Sequence, residues 1–451
     1  MNESILKKFT RYSVSNIFGM MAISVYILAD TFFIARGVGT LGLTALNIAI
    51  PAFSFIQGSG LMLGIGAATK YSILKAQGQE KEADEIFSLA VISGLIISLF
   101  FVFLSITASK HLVKILGADE SIFDITVTYL RVILCFAPSF IINAIFLCFV
   151  RNVHAPALAM IAMVIGSFSN IVLDYIFVFP LNMGMFGAAL ATGCVPVIGL
   201  CILSLHKLRG KNNFKLVKYK LDFIKIFGIL KLGLPSLITE MANGVVIIVF
   251  NILILGISGN IGVAAYGIIA NISMVVTAIY TGIAQAIQPL LSNCYGLKDT
   301  SGMKKIFKYL PLAFAVFFMA ACQNNDEENF ANKAYVNASD IAFIFNKEND
   351  STLQTMAVEG LKVYFTATPF LGFNIIISIV FISMEKAVPA QIISLCRGFF
   401  ILVPSAVILS NVFLMLGVWL SLLFCECVVA IISIYFLYRL IKSREIFKER
   451  I

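Results

Sequence analysis

Twelve apolar segments organise the chain, near 12–35, 46–69, 86–108, 126–150, 157–179, 187–206, 232–256, 261–290, 308–322, 358–383, 389–411 and 413–439. All but the ninth reach the roughly 20 residues that a helix needs to cross a bilayer. Runs of this length are too long for buried strands. A backbone in lipid must also satisfy its own hydrogen bonds, so each run reads as a helix. The expected fold is therefore an all-α polytopic membrane protein with about twelve transmembrane helices. Composition agrees: 60% of residues are hydrophobic and 13% charged, against about 45–50% and about 25% in soluble domains.

The net charge of +9 acquires meaning from its position. With the N-terminus inside, segments 1–11, 70–85, 151–156, 207–231, 291–308, 384–388 and 440–451 hold most of the 33 Lys and Arg. That asymmetry is the positive-inside pattern, so both termini are expected to be cytoplasmic and no nucleic-acid partner is implied. The first span can itself target the chain, without a cleavable signal. The densest basic block is Lys207, Arg209, Lys211, Lys215, Lys218, Lys220, Lys225 and Lys231. Interleaved with Phe214, Leu216, Leu221, Phe223, Ile224 and Phe227, it reads either as a helix lying on the anionic inner leaflet or as an ordinary cytoplasmic linker. Most of the nine Cys, among them Cys135, Cys148, Cys194, Cys201, Cys396, Cys425 and Cys427, fall within spans. They have neither metal-ligand nor disulfide spacing and read as small packing residues, so no metal site and no cofactor is expected.

The two halves resemble each other. A shift of 220 residues sets Gly39, Gly42 and Ala45 over Gly259, Gly262 and Ala265, and Ile86-Phe87 over Ile306-Phe307. A shift of 231 sets Leu130 and Val132 over Leu361 and Val363, Pro138 over Pro369 and Asn143 over Asn374. Six spans per half, an even number, give both halves the same orientation, related by a pseudo-two-fold axis along the membrane normal. The expected organisation is an N-lobe at 1–206, a basic linker at 207–231 and a C-lobe at 232–451. Substrate would bind between the lobes, and rocking of one against the other would exchange access.

Three motifs then stand in order: Asp30-Thr-Phe-Phe-Ile-Ala-Arg-Gly-Val-Gly39 through Pro51, Asn170-Ile-Val-Leu-Asp174, and Met183-Gly-Met-Phe-Gly-Ala-Ala-Leu-Ala-Thr192. Together they resemble the multidrug and toxic compound extrusion family, and within it the bacterial branch with an Asp in the first helix. The resemblance spans nearly the whole chain apart from about 303–345. It implies a V-shaped pair of six-helix lobes around a central cavity, and export of cationic amphipathic drugs in exchange for H⁺ or Na⁺. It also implies a bacterial inner-membrane location, and a monomer is expected.

Charges inside the spans are the candidate functional residues, because an Asp at mid-span costs about 2.5–3.5 kcal/mol on insertion scales. Asp30 lies six residues before Arg36, and Asp174 a similar distance before Pro180. At about 1.5 Å per residue, both carboxylates are expected at one depth in the outer half of the N-lobe. Asn170 shares a helical face with Asp174, and Thr192 offers a hydroxyl at comparable depth. Two negative charges in a poorly hydrated pocket repel, so the site is expected to take up a proton or a cation. The family resemblance places a cation or proton site on these same Asp, Asn, Asp and Thr positions. The alternative is that the two acids only cap helix ends or meet interfacial water.

Glu240, after Gly233-Leu-Pro235, and Glu426, within Phe-Cys-Glu-Cys, are candidates for the substrate cavity. The competing reading is a structural ion pair, with Arg397 available to Glu426. Gln57, Asn47, Asn243, Gln285 and Gln288 are further cavity candidates, against ordinary interhelical hydrogen bonding. Met20, Met21 and Met62 with the many Phe would make an adaptable apolar surface.

One stretch departs from the repeat. The apolar run Leu310–Cys322 ends in Gln-Asn-Asn-Asp-Glu-Glu-Asn, and the change of offset puts about eleven extra residues here. Met303 to Cys322 has a basic start, a short apolar core and a small-residue box ending in Cys, as in a lipoprotein signal. The reading favoured is a spliced or replaced segment at about 303–340, with a short or irregular ninth span and 323–340 outside. The leading function is a cation-coupled drug exporter. A flippase for lipid-linked oligosaccharide or peptidoglycan precursors is the runner-up, disfavoured because acids outnumber bases in the spans. An intramembrane hydrolase lacks His-Glu-x-x-His or Gly-x-Gly-Asp, so no enzyme is expected.

Overall fold

The computed structural model describes residues 4–153, 155–208, 214–218, 220–320, 338–345 and 350–442, and among these every regular element is helical. The first half comprises α1 (Ile5–Gly37), α2 (Thr40–Ala76), α3 (Glu80–Thr107), α4 (Ser109–Ile115), α5 (Phe123–Cys135), α6 (Ala137–Asn152), α7 (Pro156–Val178) and α8 (Gly184–Leu208). The second comprises α9 (Phe223–Gly296), α10 (Thr300–Ala320), α11 (Ala338–Phe345), α12 (Ser351–Ser383), α13 (Ala387–Leu395), a π-helical turn (Cys396–Phe400) and α14 (Leu402–Lys442).

Among the described residues, eight helical stretches are long and apolar enough to cross a membrane, and the bent pair α5–α6 supplies a ninth. Two of the eight are double. The 74-residue α9 leaves helical geometry at Gly259, and the stretch from α13 through α14 does so at Leu414. With α10, the order follows the twelve apolar segments. The segment expected as one span at 126–150 is instead two helices meeting at 47° around Phe136. Pro138 is the cause, since its ring cannot donate to the preceding turn.

The repeat is visible in backbone conformation. Gly39 (φ 87°, ψ −165°) turns α1 into α2, and Gly259 (φ 60°, ψ −153°) makes the same turn inside α9. Gly78 and Lys298, also 220 residues apart, both have positive φ, 79° and 56°. The matches extend to packing. A Cβ on Gly42 would meet Val38 and Ile34, and one on Gly262 would meet Ser258 and Ile254, the residues 220 further on.

Packing is that of a bilayer protein. On α3, Leu95, Ile96, Leu99, Phe100, Phe103 and Ile106 are exposed along one side, while Ser88, Ser93, Ser98 and Ser105 are buried on the other. Lipid is as apolar as Leu, so small and hydroxyl-bearing residues mediate helix contact and large apolar ones face outward. The halves meet closely where α2 passes the first part of α9. A Cβ on Gly233 would lie 1.8 Å from the Met62 carbonyl oxygen, and one on Gly66 would lie 2.3 Å from that of Ile229. Only glycine permits this backbone-to-backbone approach. The contact is toward the end of the molecule where Lys70 and Lys225 lie, called here the lysine-rich end.

The basic linker differs from the surface-helix expectation. Residues 214–218 and 220–222 are not helical, and Lys211 and Arg209 lie outside the described residues. Phe214 is buried among Phe87, Phe146 and Phe149. The Lys215 and Val217 amides donate to Asp84 Oδ1 (3.0 Å) and Ser88 Oγ (2.9 Å). The linker is thus strapped to α3 as an extended segment, because its backbone finds acceptors there and its aromatic ring finds a pocket. α9 begins at an Asp222 N-cap that accepts from Ile224 and Lys225.

In the anomalous region, α10 is helical through Ala320. Of the stretch 323–340 expected outside, residues 323–337 lie beyond the described residues. Residues 338–340 open α11, and Gln354 of α12 donates to the Ser339 carbonyl at 2.7 Å.

Candidate ion and substrate sites

α7 sits between α1 and α8, with glycines facing side chains at each contact. Gly19 and Gly37 of α1 face Met163 and Val178 of α7, and Gly166 of α7 faces Val195 of α8. This close packing brings Asp30, Asn170, Asp174 and Thr192 together in the N-lobe interior, all four buried. The two carboxyl groups are near enough to interact directly, and the buried Tyr26 and Tyr129 are within electrostatic reach of both.

The site's polar atoms are unsatisfied. Asp30 Oδ1, both oxygens of Asp174, both side-chain polar atoms of Asn170 and Thr192 Oγ1 have no hydrogen-bond partner within the protein, though all are buried. Orphaning one buried polar atom costs about 1–3 kcal/mol, and here six such atoms share one site with two like charges. A proton or a cation held here would lessen the repulsion and meet some of the orphaned acceptors, and the acceptor set, being largely oxygen, suits a hard cation. Tyr26 and Tyr129 were not singled out from sequence, because a Tyr in an apolar span carries no signal that separates it from core.

The acid of the second half is in a different condition. Glu426 of α14 is buried, and both its carboxylate oxygens have donors: Arg397 Nε to Oε1 at 2.6 Å, and Asn374 Nδ2 to Oε2 at 2.8 Å. Ser433 Oγ donates in turn to Asn374 Oδ1 at 3.0 Å. Sequence reasoning paired Glu426 with Arg397 as one of two readings. Asn374 entered only as a repeat match, and Ser433 not at all.

The remaining candidates lie at or near the boundary between halves. Glu240 is half-buried, with its Cβ against Gly58 of α2. Gln57 is half-buried and Asn243 exposed. Gln285 accepts from the Arg151 guanidinium of α6, and Gln288 bonds to Asn152 and Thr69, all across the boundary. Gln285 and Gln288 therefore join the halves through Arg151, Asn152 and Thr69, three partners that sequence reasoning did not single out. A hydrogen-bonded pair of spans looks the same in sequence whichever helix supplies the partner.

Comparison with known proteins follows this geometry. The MatE family model matches residues 16–176 and 235–408, one block in each half. The multidrug export protein MepA of Staphylococcus saprophyticus is 25% identical over 447 residues, covering 97% of this chain and 94% of that protein. MepA of Staphylococcus aureus strain MRSA252 is 24% identical over 441 residues with the same coverages. Among solved structures, an outward-facing multidrug resistance MATE family transporter of the MOP superfamily superposes with a TM-score of 0.88 at 22% identity, covering 98% of this chain and 97% of that one. A MOP superfamily transporter from Pyrococcus furiosus gives a TM-score of 0.87 at 22% identity. The matched blocks fall on the two halves that the glycine turns define, and this multi-pass membrane chain belongs to the MatE family of transporters.

Proposed function

We propose that this protein is a cation-coupled antiporter that exports cationic amphipathic drugs, with H⁺ or Na⁺ taken up at Asp30 and Asp174. The observation that carries the reading is the buried cluster of unpartnered oxygens shared by α1, α7 and α8. The naming of its curated relatives as multidrug export proteins supports the cargo class.

Coupling follows from where α1 runs. The helix that carries Asp30 also touches the second half: Ser24 Oγ donates to the Met274 carbonyl at 3.4 Å, and Gly282 lies against the backbone of Ile17. Ion uptake relieves repulsion between Asp30 and Asp174 and lets α1 settle differently against α7. That shift reaches the boundary between the halves through the same rigid helix. A cationic drug held between the halves, near the half-buried Glu240, is favoured while the carboxylates are charged and released once they are neutralised. Proton or sodium entry thus drives drug exit by differential affinity. The lysine-rich end faces the cytoplasm of a bacterial cell, by the positive-inside rule.

The test is efflux of a permanently cationic dye from vesicles under separately imposed Na⁺ and pH gradients. One gradient should drive export and identify the coupling ion. If neither drives it in protein shown to be folded, the antiport reading fails.

A further inference from the structure

Arg151 is a buried cation without an anion. The end of α6 carries it into the boundary between the halves, where it is 5% exposed. Its bonds go to neutral groups: Nε to the Leu147 carbonyl at 3.0 Å, Nη1 to Gln285 Oε1, and Nη2 to Cys148 Sγ at 3.5 Å. Among the described residues no carboxylate pairs with it, whereas Arg397 of the second half has Glu426. Three acids toward this end are taken by lysines: Glu80 by Lys75, Glu85 by Lys225 and Glu385 by Lys70. The last carbonyls of α6 favour a positive charge, but a helix terminus offers only about half a charge. Nor can an arginine shed its proton to escape burial.

The guanidinium also borders open space. A small cavity lies against it, lined by Ile65 of α2, Cys148 and Arg151 of α6, Gln285 and Gln288 of α9, and Ile379 of α12. Both halves therefore build it. A guanidinium carries five N–H donors, and only three of those on Arg151 have acceptors among the described residues. Gln285 uses its Oε1 on Arg151, and its Nε2 has no acceptor among the described residues. Unengaged N–H donors and one uncompensated positive charge thus meet beside two isoleucine walls, and the lining includes no acid. Such a space selects an anion over a cation. Its small size and apolar walls favour a monovalent ion that sheds water readily over a phosphate or sulfate.

We propose that this cavity binds one small monovalent anion of the chloride class, which compensates Arg151 and joins the two halves at the lysine-rich end. Because the lining is divided between the halves, the site exists only while that end is closed. An anion bound there adds its binding free energy to the closed arrangement and leaves when the halves part. It acts as a removable staple, separate from the carboxylate cluster of the N-lobe and independent of the identity of the cargo.

The test uses the full chain in detergent, with sodium fixed and chloride exchanged for gluconate, which is too large for the cavity. Chloride should raise the unfolding midpoint by a few degrees along a curve that saturates, as a single site requires. In a chain whose only cysteine is Cys148, the same concentrations should slow labelling by a membrane-impermeant maleimide severalfold. Arg151→Gln should abolish the chloride response of the midpoint. Should that variant fail to fold, Arg151→Lys keeps the charge but loses the flat fork, and should move saturation to severalfold higher chloride. A chloride effect that never saturates, or that persists in folded Arg151→Gln, is a general salt effect and overturns the site. Equal midpoints in the two salts, an unshifted titration in Arg151→Lys, or Cys148 labelling that ignores chloride would each overturn it as well.

Discussion

Asn152 and Gln288, 136 residues apart and on opposite halves, are bonded side chain to side chain, Asn152 Nδ2 donating to Gln288 Oε1 at 2.9 Å. Gln288 Nε2 continues the chain to Thr69 Oγ1 at 3.0 Å, and the neighbouring Arg151 reaches Gln285. Lys70 pairs with Glu385 across the same boundary at 3.3 Å, an exposed contact worth little by itself. These bonds lie toward the lysine-rich end, so the halves are fastened together there in this state.

Cutting that fastening should loosen the end. Gln288→Ala removes a partner from both Asn152 and Thr69, leaving Asn152 only its bond to the Cys148 carbonyl, and is expected to cost the closed arrangement about 1–3 kcal/mol. Cys148, buried beside Arg151 Nη2 at 3.5 Å, is the reporter. In a chain where Cys148 is the only cysteine, labelling by a membrane-impermeant maleimide should rise severalfold in the variant. Unchanged labelling would show that these bonds do not hold the end shut.

The proposed ion site should show opposite effects on stability and on transport. Asp30→Asn or Asp174→Asn removes one of two neighbouring buried acids, three of whose four carboxylate oxygens have no partner in the protein. Each variant should be as abundant as the parent and unfold in detergent a few degrees higher, yet lose gradient-driven dye efflux. Retained efflux in both would sink the assignment of this site.

The glycine contact between halves should tolerate nothing larger. Gly233→Ala places a methyl 1.8 Å from the Met62 carbonyl oxygen, and overpacking of this kind costs about 1–3 kcal/mol. Folded yield and transport should both fall. Gly244→Ala on the same helix, whose nearest neighbour is Ser54 Oγ at 3.4 Å, should be near neutral. Similar behaviour of the two would remove the argument that the halves close through backbone contact.

The repeat makes a prediction at its imperfect match. Gly78 has Lys298 as its counterpart, and Lys298 keeps a left-handed φ of 56°. Lys298→Gly should stabilise the protein by up to about 1 kcal/mol, whereas Gly259→Ala at φ 60° should cost about 1–2 kcal/mol. Thermal unfolding in detergent reads both. A destabilised Lys298→Gly would mean that the lysine side chain matters more there than its backbone.

Much of the fold could be read from hydropathy. The apolar segments at 12–35, 46–69 and 86–108 became α1, α2 and α3 because a buried backbone in lipid has no alternative to helix. The 220-residue offset rested on glycines, and the structure shows why they were informative: Gly39 and Gly259 occupy a conformation that few other residues adopt. Hydropathy did not show the 47° bend at Phe136, since a kinked span is as apolar as a straight one. Nor does it show the course of the linker, because nothing in the linear order marks Phe214 off from its apolar neighbours and its pocket of three phenylalanines forms only in the fold.

For the functional residues the division is similar. A carboxylate in a span is conspicuous by its cost, so Asp30, Asp174 and Glu426 stood out in the linear order, together with their depth and the identity of the family. Their condition was not visible there. Asp30 and Asp174 lie together with Asp30 Oδ1 and both Asp174 oxygens unpartnered by the rest of the protein, while Glu426 is held by Arg397 and Asn374. Insertion into a membrane depends on each segment's own transfer energy, which one stretch of sequence carries. Whether a buried charge is paired depends on which other helices surround it, and that is decided only when the spans pack.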